Sequence, residues 1–206
     1  MNLRISKKKF IYLISPNNIY PRFYQDLINV LKTGKVGLFQ MRLKRYSFKQ
    51  KISIGKKIRQ ICKNNGVKFL INDDPMLSKK LNADGCHLGQ KDMSLSEARK
   101  KIGNKIIGIT CHNSIKMAKI AIKGKANYIA FGAFFPSKTK KVKFKATTQI
   151  LKKVKKLTRT PIVAIGGINN ENYKKLLLNN ANFLAISSYV WNNKKYKPGE
   201  SVEKLK

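Results

Sequence analysis

Eight short runs of β-branched and aromatic residues, each followed by a lysine-rich stretch, constrain the fold of this chain more than any other feature. The runs are FIYLIS (10–15), VGLFQMRL (36–43), VKFLIN (67–72), DGCHLG (84–89), KIIGIT (105–110), NYIAFGAF (127–134), PIVAIGG (161–167) and NFLAISS (182–188). The stretches between them read as amphipathic helices. Ile52, Ile54, Ile58 and Ile61 recur at roughly helical spacing. SLSEARKKIG offers Ser94 as an N-cap with Glu97 three residues on, a capping box. NNENYKKLLLNN opens with similar Asn capping and turns Leu176 and Leu177 inward. Strands alternating with helices in this way predict a parallel α/β architecture. Eight such units close a (β/α)8 TIM barrel, here as a single domain over residues 1–206. A doubly wound open sheet ranks second. It usually has fewer strands and often a Gly-rich first turn, which LISPNN does not supply.

The chain's 206 residues and 42% hydrophobic content suffice to bury one full core. The longest apolar run, around YIAFGAFFP, is about half the length of a membrane span, which argues against a membrane partner. FIYLIS is too short for a signal peptide and lacks a small-residue cleavage site, so the expected location is cytoplasmic. Cys62, Cys86 and Cys111 are odd in number, widely spaced and without a C-x-x-C pair, and read as small buried hydrophobes with reduced thiols. A net charge of +36 resembles the footprint of a nucleic-acid binder. Yet Arg, the better residue for phosphate and base recognition, numbers seven against 38 Lys. The lysines also line nearly every predicted helix, as solvated faces do, so no specific nucleic-acid partner is expected. Against this background four of the nine acids, Asp73, Asp74, Asp84 and Asp92, fall within twenty residues.

In a barrel of this kind the active site lies where strands end and βα loops begin. Polar residues do interrupt the apolar runs at those ends. The second run ends with Gln40, Arg42 and Lys44 at alternate positions, which period-two geometry puts on one face, as an anion or pyrophosphate cradle. The plainer alternative is a strand fraying into a solvated basic loop. Asn72 and Asp73 end the third run, and Gln90 and Asp92 follow the fourth. Neighbouring strands bring Asp73 and Asp92 close, and two carboxylates suit a hard, oxygen-ligated cation, most simply Mg²⁺ with substrate phosphates completing its shell. Asp74 (before Pro75) and Asp84 read as capping or turn residues. Thr110 is placed to bond a ligand, while His112 is either a base or a loop histidine, with no identifiable carboxylate partner. Ser137, Thr139 and Lys140 form a hydroxyl-rich cationic loop suited to phosphate, or else a basic surface loop. Gly166-Gly167 allows close backbone approach after the seventh run, and Ser187-Ser188 offers hydroxyls and N–H groups after the eighth, where such barrels often seat phosphate.

Taken in order, QMRLK, FLINDD, ADGCHLGQKD, GITCHNS, FGAFFPSKTKK, VAIGGI and LAISSYVW resemble the thiamine-phosphate synthase (thiamine-phosphate pyrophosphorylase) family over residues 10–191 or so. The CHNS and AFGAFFP wording is most similar to its alphaproteobacterial branch. The resemblance implies a (β/α)8 transferase that joins 4-amino-2-methyl-5-hydroxymethylpyrimidine diphosphate to a thiazole phosphate, releasing pyrophosphate. It further implies that Gln40, Arg42, Lys44 and Asn72 hold the pyrimidine diphosphate and that Asp73 and Asp92 ligate Mg²⁺. Thr110 stands where the family usually has Ser. Lys140 is expected on the diphosphate, Ser137 and Thr139 facing the thiazole, and Gly167, Ser187 and Ser188 at its phosphate. Arg42, Lys44, Thr110 and Lys140 form the expected catalytic set.

This chain departs from the family pattern in TKKVKFKATTQ, where many relatives carry an acid and a Gly, and in Gln90-Lys91, which replaces Gln-Glu. Two rival readings compete: a tautomerase-like relative with the same thiazole-phosphate pocket, and a non-catalytic, RNA-associated basic barrel. The first tends to lose the diphosphate-binding set that this chain keeps. The second leaves the acids and hydroxyls at strand ends unexplained. Whether the protein is a homodimer is left open by the sequence.

Overall fold

The structure, a computed structural model, describes residues 8–136 and 144–206. Eight strands, β1 (Ile11–Ile14), β2 (Val36–Met41), β3 (Lys68–Asn72), β4 (Gly85–Leu88), β5 (Ile106–His112), β6 (Tyr128–Gly132), β7 (Ile162–Ile165) and β8 (Phe183–Ile186), pair in sequence order. Every pairing is parallel, and β8 returns to β1, with Ile11 opposite Leu184, to close the barrel. This is the (β/α)8 TIM barrel expected, and the open doubly wound sheet is set aside. The connecting helices are α1 (Phe23–Lys32), α2 (Phe48–Asn64), α3 (Pro75–Lys80), α4 (Leu95–Ile102), α5 (Ile115–Lys123), α6 (Thr148–Leu157) and α7 (Tyr173–Leu178), followed by α8 (Ser188–Trp191) and α9 (Pro198–Glu203). None of the described helices is long and apolar enough to cross a membrane.

Strand alternation divides the core into two compartments. Ile11, Leu13, Phe39, Ile71, Cys86, Ile107 and Leu184 face outward into the layer shared with the helices. Their neighbours Tyr12, Ile14, Leu38, Leu70, Ile106, Tyr128, Ala130, Val163, Phe183 and Ala185 form a separate cluster inside the barrel. Side chains fill that interior, so the barrel is a packed core and not a pore. Lysines take the outer helix faces, where their charges stay in water. All three cysteines are buried and free, and burial pushes the thiols of Cys86 and Cys111 up to about 12.

Local signals place the helix starts. Ser94 and Glu97 form the predicted capping box on α4, and Ser47 with Gln50 forms another on α2. Asp74 caps α3, its Oδ1 accepting from the Leu77 N–H at 2.9 Å, with Pro75 at the first helical position. Asp84 accepts from the Phe69 N–H at 2.9 Å and pairs with Lys68, which stitches the start of β3 to β4. Of the asparagines that open the α7 segment, Asn172, its N-cap, makes no side-chain cap bond. Asn169 does the work one turn earlier, accepting from the N–H groups of Glu171 and Asn172. Leu176 is fully buried and Leu177 packs partly against the core.

Gly108 shows how tightly the interior is filled. A Cβ there would lie 1.8 Å from Cζ of Tyr128, against the ring itself. Gly108→Ala is therefore expected to cost about 1–3 kcal/mol or more, as over-packing does. Urea unfolding checks this, and a midpoint equal to wild type would show that the Tyr128 ring is free to move aside.

Candidate active site

The C-terminal ends of the eight strands form one rim, and most of the sequence-predicted residues lie on it. Gln40 is inward-facing and 2% exposed, at the end of β2. The strand stops at Met41, so the alternation predicted to align Gln40, Arg42 and Lys44 on one face is corrected. Instead the three diverge. The Gln40 amide turns into the barrel and donates to Tyr12 Oη. Arg42 reaches the loop after β1, where its Nη1 donates to Asn17 Oδ1 at 3.1 Å. Lys44 crosses to the next strand and pairs with Asp73 at 2.9 Å. The chain leaves the ladder here because the Arg42 N–H bonds to the side chain of Ser15, Oγ at 2.9 Å, rather than to a backbone carbonyl.

Asp73 follows Asn72 at the end of β3 in the left-handed region, φ 64°, with its N–H donating to the His87 carbonyl at 2.8 Å. Asp tolerates that conformation better than most residues. Asp92 lies in the loop after β4, held by the Gly89 N–H donating to its Oδ2 at 2.7 Å. The two carboxylates are close enough for each to shift the other's proton affinity. Burial raises the Asp73 carboxyl, but Lys44 and the bond from Asp92 outweigh it and hold Asp73 below the usual value. Asp92 moves the other way: burial and its neighbour Asp73 raise it, against the Gly89 N–H. Two carboxylates so placed repel, and Lys44 offsets part of that repulsion at Asp73. Oxygen-only donors facing an open mouth fit a hard divalent cation such as Mg²⁺. Among the described residues no third His, Cys, Asp or Glu joins them, so further ligands have to come from substrate or water. Lys44, Asn72, Asp73 and Asp74 also line a cavity of about 200 Å³.

Across the rim, Gly166 and Gly167 adopt φ of 108° and 61°. The close approach expected at this pair is made first by the chain itself. A Cβ on Gly167 would lie 2.2 Å from the Pro136 carbonyl oxygen, and the Phe135 N–H donates to the Gly166 carbonyl. Ser187 donates its hydroxyl to the Ser15 carbonyl at 3.2 Å, and Ser188 begins α8. Ser137, Thr139 and Lys140 lie outside the described residues. His112, at φ 52°, stacks on Phe144 with centroids 4.3 Å apart.

Three residues that sequence reasoning passed over link the two sides of the mouth. Tyr12 Oη lies 2.7 Å from Tyr128 Oη, which is 2.9 Å from His87 Nδ1, and His87 Nε2 is 2.8 Å from Thr110 Oγ1. With Gln40 at one end, this makes a buried polar chain across the barrel from β2 to β5. Strand parity was the available signal: His87 alternates with outward-facing Cys86 and Leu88. Ser15, 2% exposed, was also missed, though it braces both Arg42 and Ser187.

An enclosed barrel with cationic, carboxylate and hydroxyl groups gathered on one rim defines a class, the (β/α)8 enzymes of phosphorylated small molecules. A family model for thiamine monophosphate synthase matches residues 11–190, and the chain belongs to that family. It is 64% identical over 200 residues to the thiamine-phosphate synthase of Pelagibacter ubique (strain HTCC1062), covering 97% of each chain. The thiamine-phosphate synthase of Erythrobacter litoralis (strain HTCC2594) is 40% identical over 88% of this chain and 87% of its own. Among solved structures, thiamine phosphate pyrophosphorylase from Pyrococcus furiosus superposes with a TM-score of 0.86 at 27% identity, over 97% of this chain and 94% of the other. Neither the tautomerase-like nor the RNA-associated reading finds support in these relatives.

Burial lowers His87 from 6.5 to about 4, with the Asp73 charge opposing. As pH falls below 6.5 the unfolded ring takes up a proton while the folded ring stays neutral. Stability is therefore intact above 6.5 and lost progressively toward 4, at up to about 1.4 kcal/mol per pH unit. Urea unfolding at stepped pH should show this slope in wild type and its reduction in His87→Gln. Equal slopes would mean the ring titrates normally.

Proposed function

We propose that the protein couples 4-amino-2-methyl-5-hydroxymethylpyrimidine diphosphate to 4-methyl-5-(2-phosphoethyl)thiazole, giving thiamine phosphate and pyrophosphate. The observation that carries this reading is the rim itself. A carboxylate pair with Lys44 and Arg42 beside it occupies one side, and the Gly-Gly and Ser-Ser segments occupy the other. Two differently built anion sites on one mouth suit two phosphorylated substrates brought together in line.

In the reaction the bond between the pyrimidine methylene carbon and the diphosphate oxygen breaks, and its electron pair leaves with pyrophosphate. The thiazole nitrogen then gives its lone pair to the methylene cation. No nucleophilic side chain is required. Arg42, Lys44 and Lys140 stabilise charge gathering on the leaving group, Gln40, Asn72 and Thr110 orient the pyrimidine, and Ser137, Thr139, Gly167, Ser187 and Ser188 hold the thiazole and its phosphate. Asp73 and Asp92 would hold Mg²⁺, which when bound supplies further neutralisation of the diphosphate. Lys44 then has to leave Asp73 for the diphosphate, an exchange its exposed position allows. The whole 206-residue chain acts in this reading as one catalytic domain in the cytoplasm, without a nucleic-acid partner.

Incubating the protein with both substrates, with and without Mg²⁺, should yield thiamine phosphate only when the divalent cation is present. Absence of product under any divalent cation would overturn the reading. Asp92→Asn keeps an acceptor for the Gly89 N–H but removes a ligand charge, and is expected to cut turnover by about 10²-fold or more. Near-wild-type Mg²⁺-dependent turnover in that variant would remove Asp92 from the metal site.

A further inference from the structure

The buried chain Gln40–Tyr12–Tyr128–His87–Thr110, with the Gln40 amide nitrogen toward Tyr12, has one direction in which every buried hydrogen meets an acceptor. The Gln40 Nε2 group is a donor only, so Tyr12 Oη accepts from it. In that direction Tyr12 spends its own hydrogen on Tyr128 Oη, 2.7 Å away, and Tyr128 spends its hydrogen on His87 Nδ1, 2.9 Å away, whereas a Tyr12 that accepted from both neighbours would leave its hydrogen without a partner. A neutral imidazole that accepts at Nδ1 carries its proton on Nε2, which donates to Thr110 Oγ1. The Thr110 hydroxyl is left with its hydrogen unspent. Gln40, Tyr12 and Tyr128 are at most 2% exposed, so water does not compete for these bonds.

We propose that Tyr12 and Tyr128 are positioning residues: their hydroxyls lock His87 as the Nε2–H tautomer, and so leave the Thr110 hydroxyl as a hydrogen-bond donor to the ligand. At the other end the same polarity leaves the Gln40 Oε1 as an acceptor. A ring bound between them has to offer one acceptor edge and one donor group, as an amino-substituted nitrogen heterocycle does. This last step rests on the function proposed above, whereas the tautomer does not. The reverse polarity needs an Nδ1–H ring and either a flipped Gln40 amide or a buried Tyr12 hydrogen without a partner, and would make Thr110 spend its hydrogen on His87. The low proton affinity of the buried ring agrees with a neutral imidazole in either case, so the direction is carried by the donors alone.

Only two histidines occur in the chain, which makes the test direct. Long-range ¹⁵N–¹H correlation on ligand-free, ¹⁵N-histidine-labelled protein at neutral pH reads both rings, and His112→Gln assigns them. His87 is expected with Nε2 protonated and Nδ1 bare. A dominant Nδ1–H form or an imidazolium would overturn the proposal. Tyr128→Phe keeps the ring packed on Gly108 but removes the link, and is expected to mix the two tautomers and lower kcat/KM about tenfold, the worth of one neutral hydrogen bond. A purely structural hydroxyl would lower the melting temperature yet leave the tautomer unchanged, and that result would also overturn it. Should Tyr128→Phe not fold, Tyr12→Phe and the wild-type tautomer still decide the matter. An Nε2–H ring in a protein that makes no thiamine phosphate would sink the functional reading while leaving the positioning intact.

Discussion

A polar atom inside a closed eight-strand barrel has little water to turn to, so it must find a partner among the side chains at its own level. The Tyr12–Tyr128 bond at the centre of this barrel meets that constraint and passes it on in both directions. Tyr12 answers the Gln40 amide, which sits too deep for solvent, and Tyr128 answers His87, which in turn meets Thr110. Around it the interior is apolar, with Leu38, Leu70, Ile106, Val163 and Phe183. Above it the mouth is polar. The chain is thus the boundary between the apolar interior of the barrel and its polar rim.

The closure that places these side chains together was readable because parallel strands buried on both faces leave a strong trace in the sequence. All eight apolar runs became strands, each shorter than its run by a residue or more at one end or both, except at β5, which extends through Thr110 to His112. Those differences have physical causes. The run through Leu43 stays alternately buried past Met41, but Ser15 takes the Arg42 N–H and ends the ladder, a side-chain bond that no hydrophobic pattern records. At α7 the asparagines were legible as capping residues, yet which of Asn169 and Asn172 performs the task depends on how the chain turns out of β7.

The rim was legible for a different reason. A polar residue breaking an apolar run at its C-terminal end stands out, and Gln40, Asn72, Asp73 and Thr110 do lie at that end of the barrel, with Asp92 and Ser187 on the following loops and Ser188 at the start of α8. What stayed hidden was the second layer beneath. Tyr12 and Tyr128 pass for hydrophobes inside a strand, since tyrosine belongs to the ordinary strand repertoire. His87 hides between Cys86 and Leu88, and only parity, not identity, separates it from them. Hydrogen-bond partners far apart in sequence, here 116 residues for the two tyrosines, cannot be paired before the sheet closes.

The cluster of acids in a lysine-rich chain then takes on a physical meaning. Asp74 and Asp84 bond backbone N–H groups of Leu77 and Phe69, tasks that need an acceptor at a set place more than they need charge. Asp73 and Asp92 are held where charge is costly, partly buried and close to each other. Two carboxylates so placed repel unless a cation or a proton stands between them. Lys44 bridges that gap from the surface. One lysine can neutralise one carboxylate but cannot bring a diphosphate and two carboxylates into contact. A small divalent cation can, because it bonds oxygen from several sides at once. The surplus of lysine elsewhere on the surface therefore does not make the acid pair redundant, since no number of distant positive charges supplies coordination at a point.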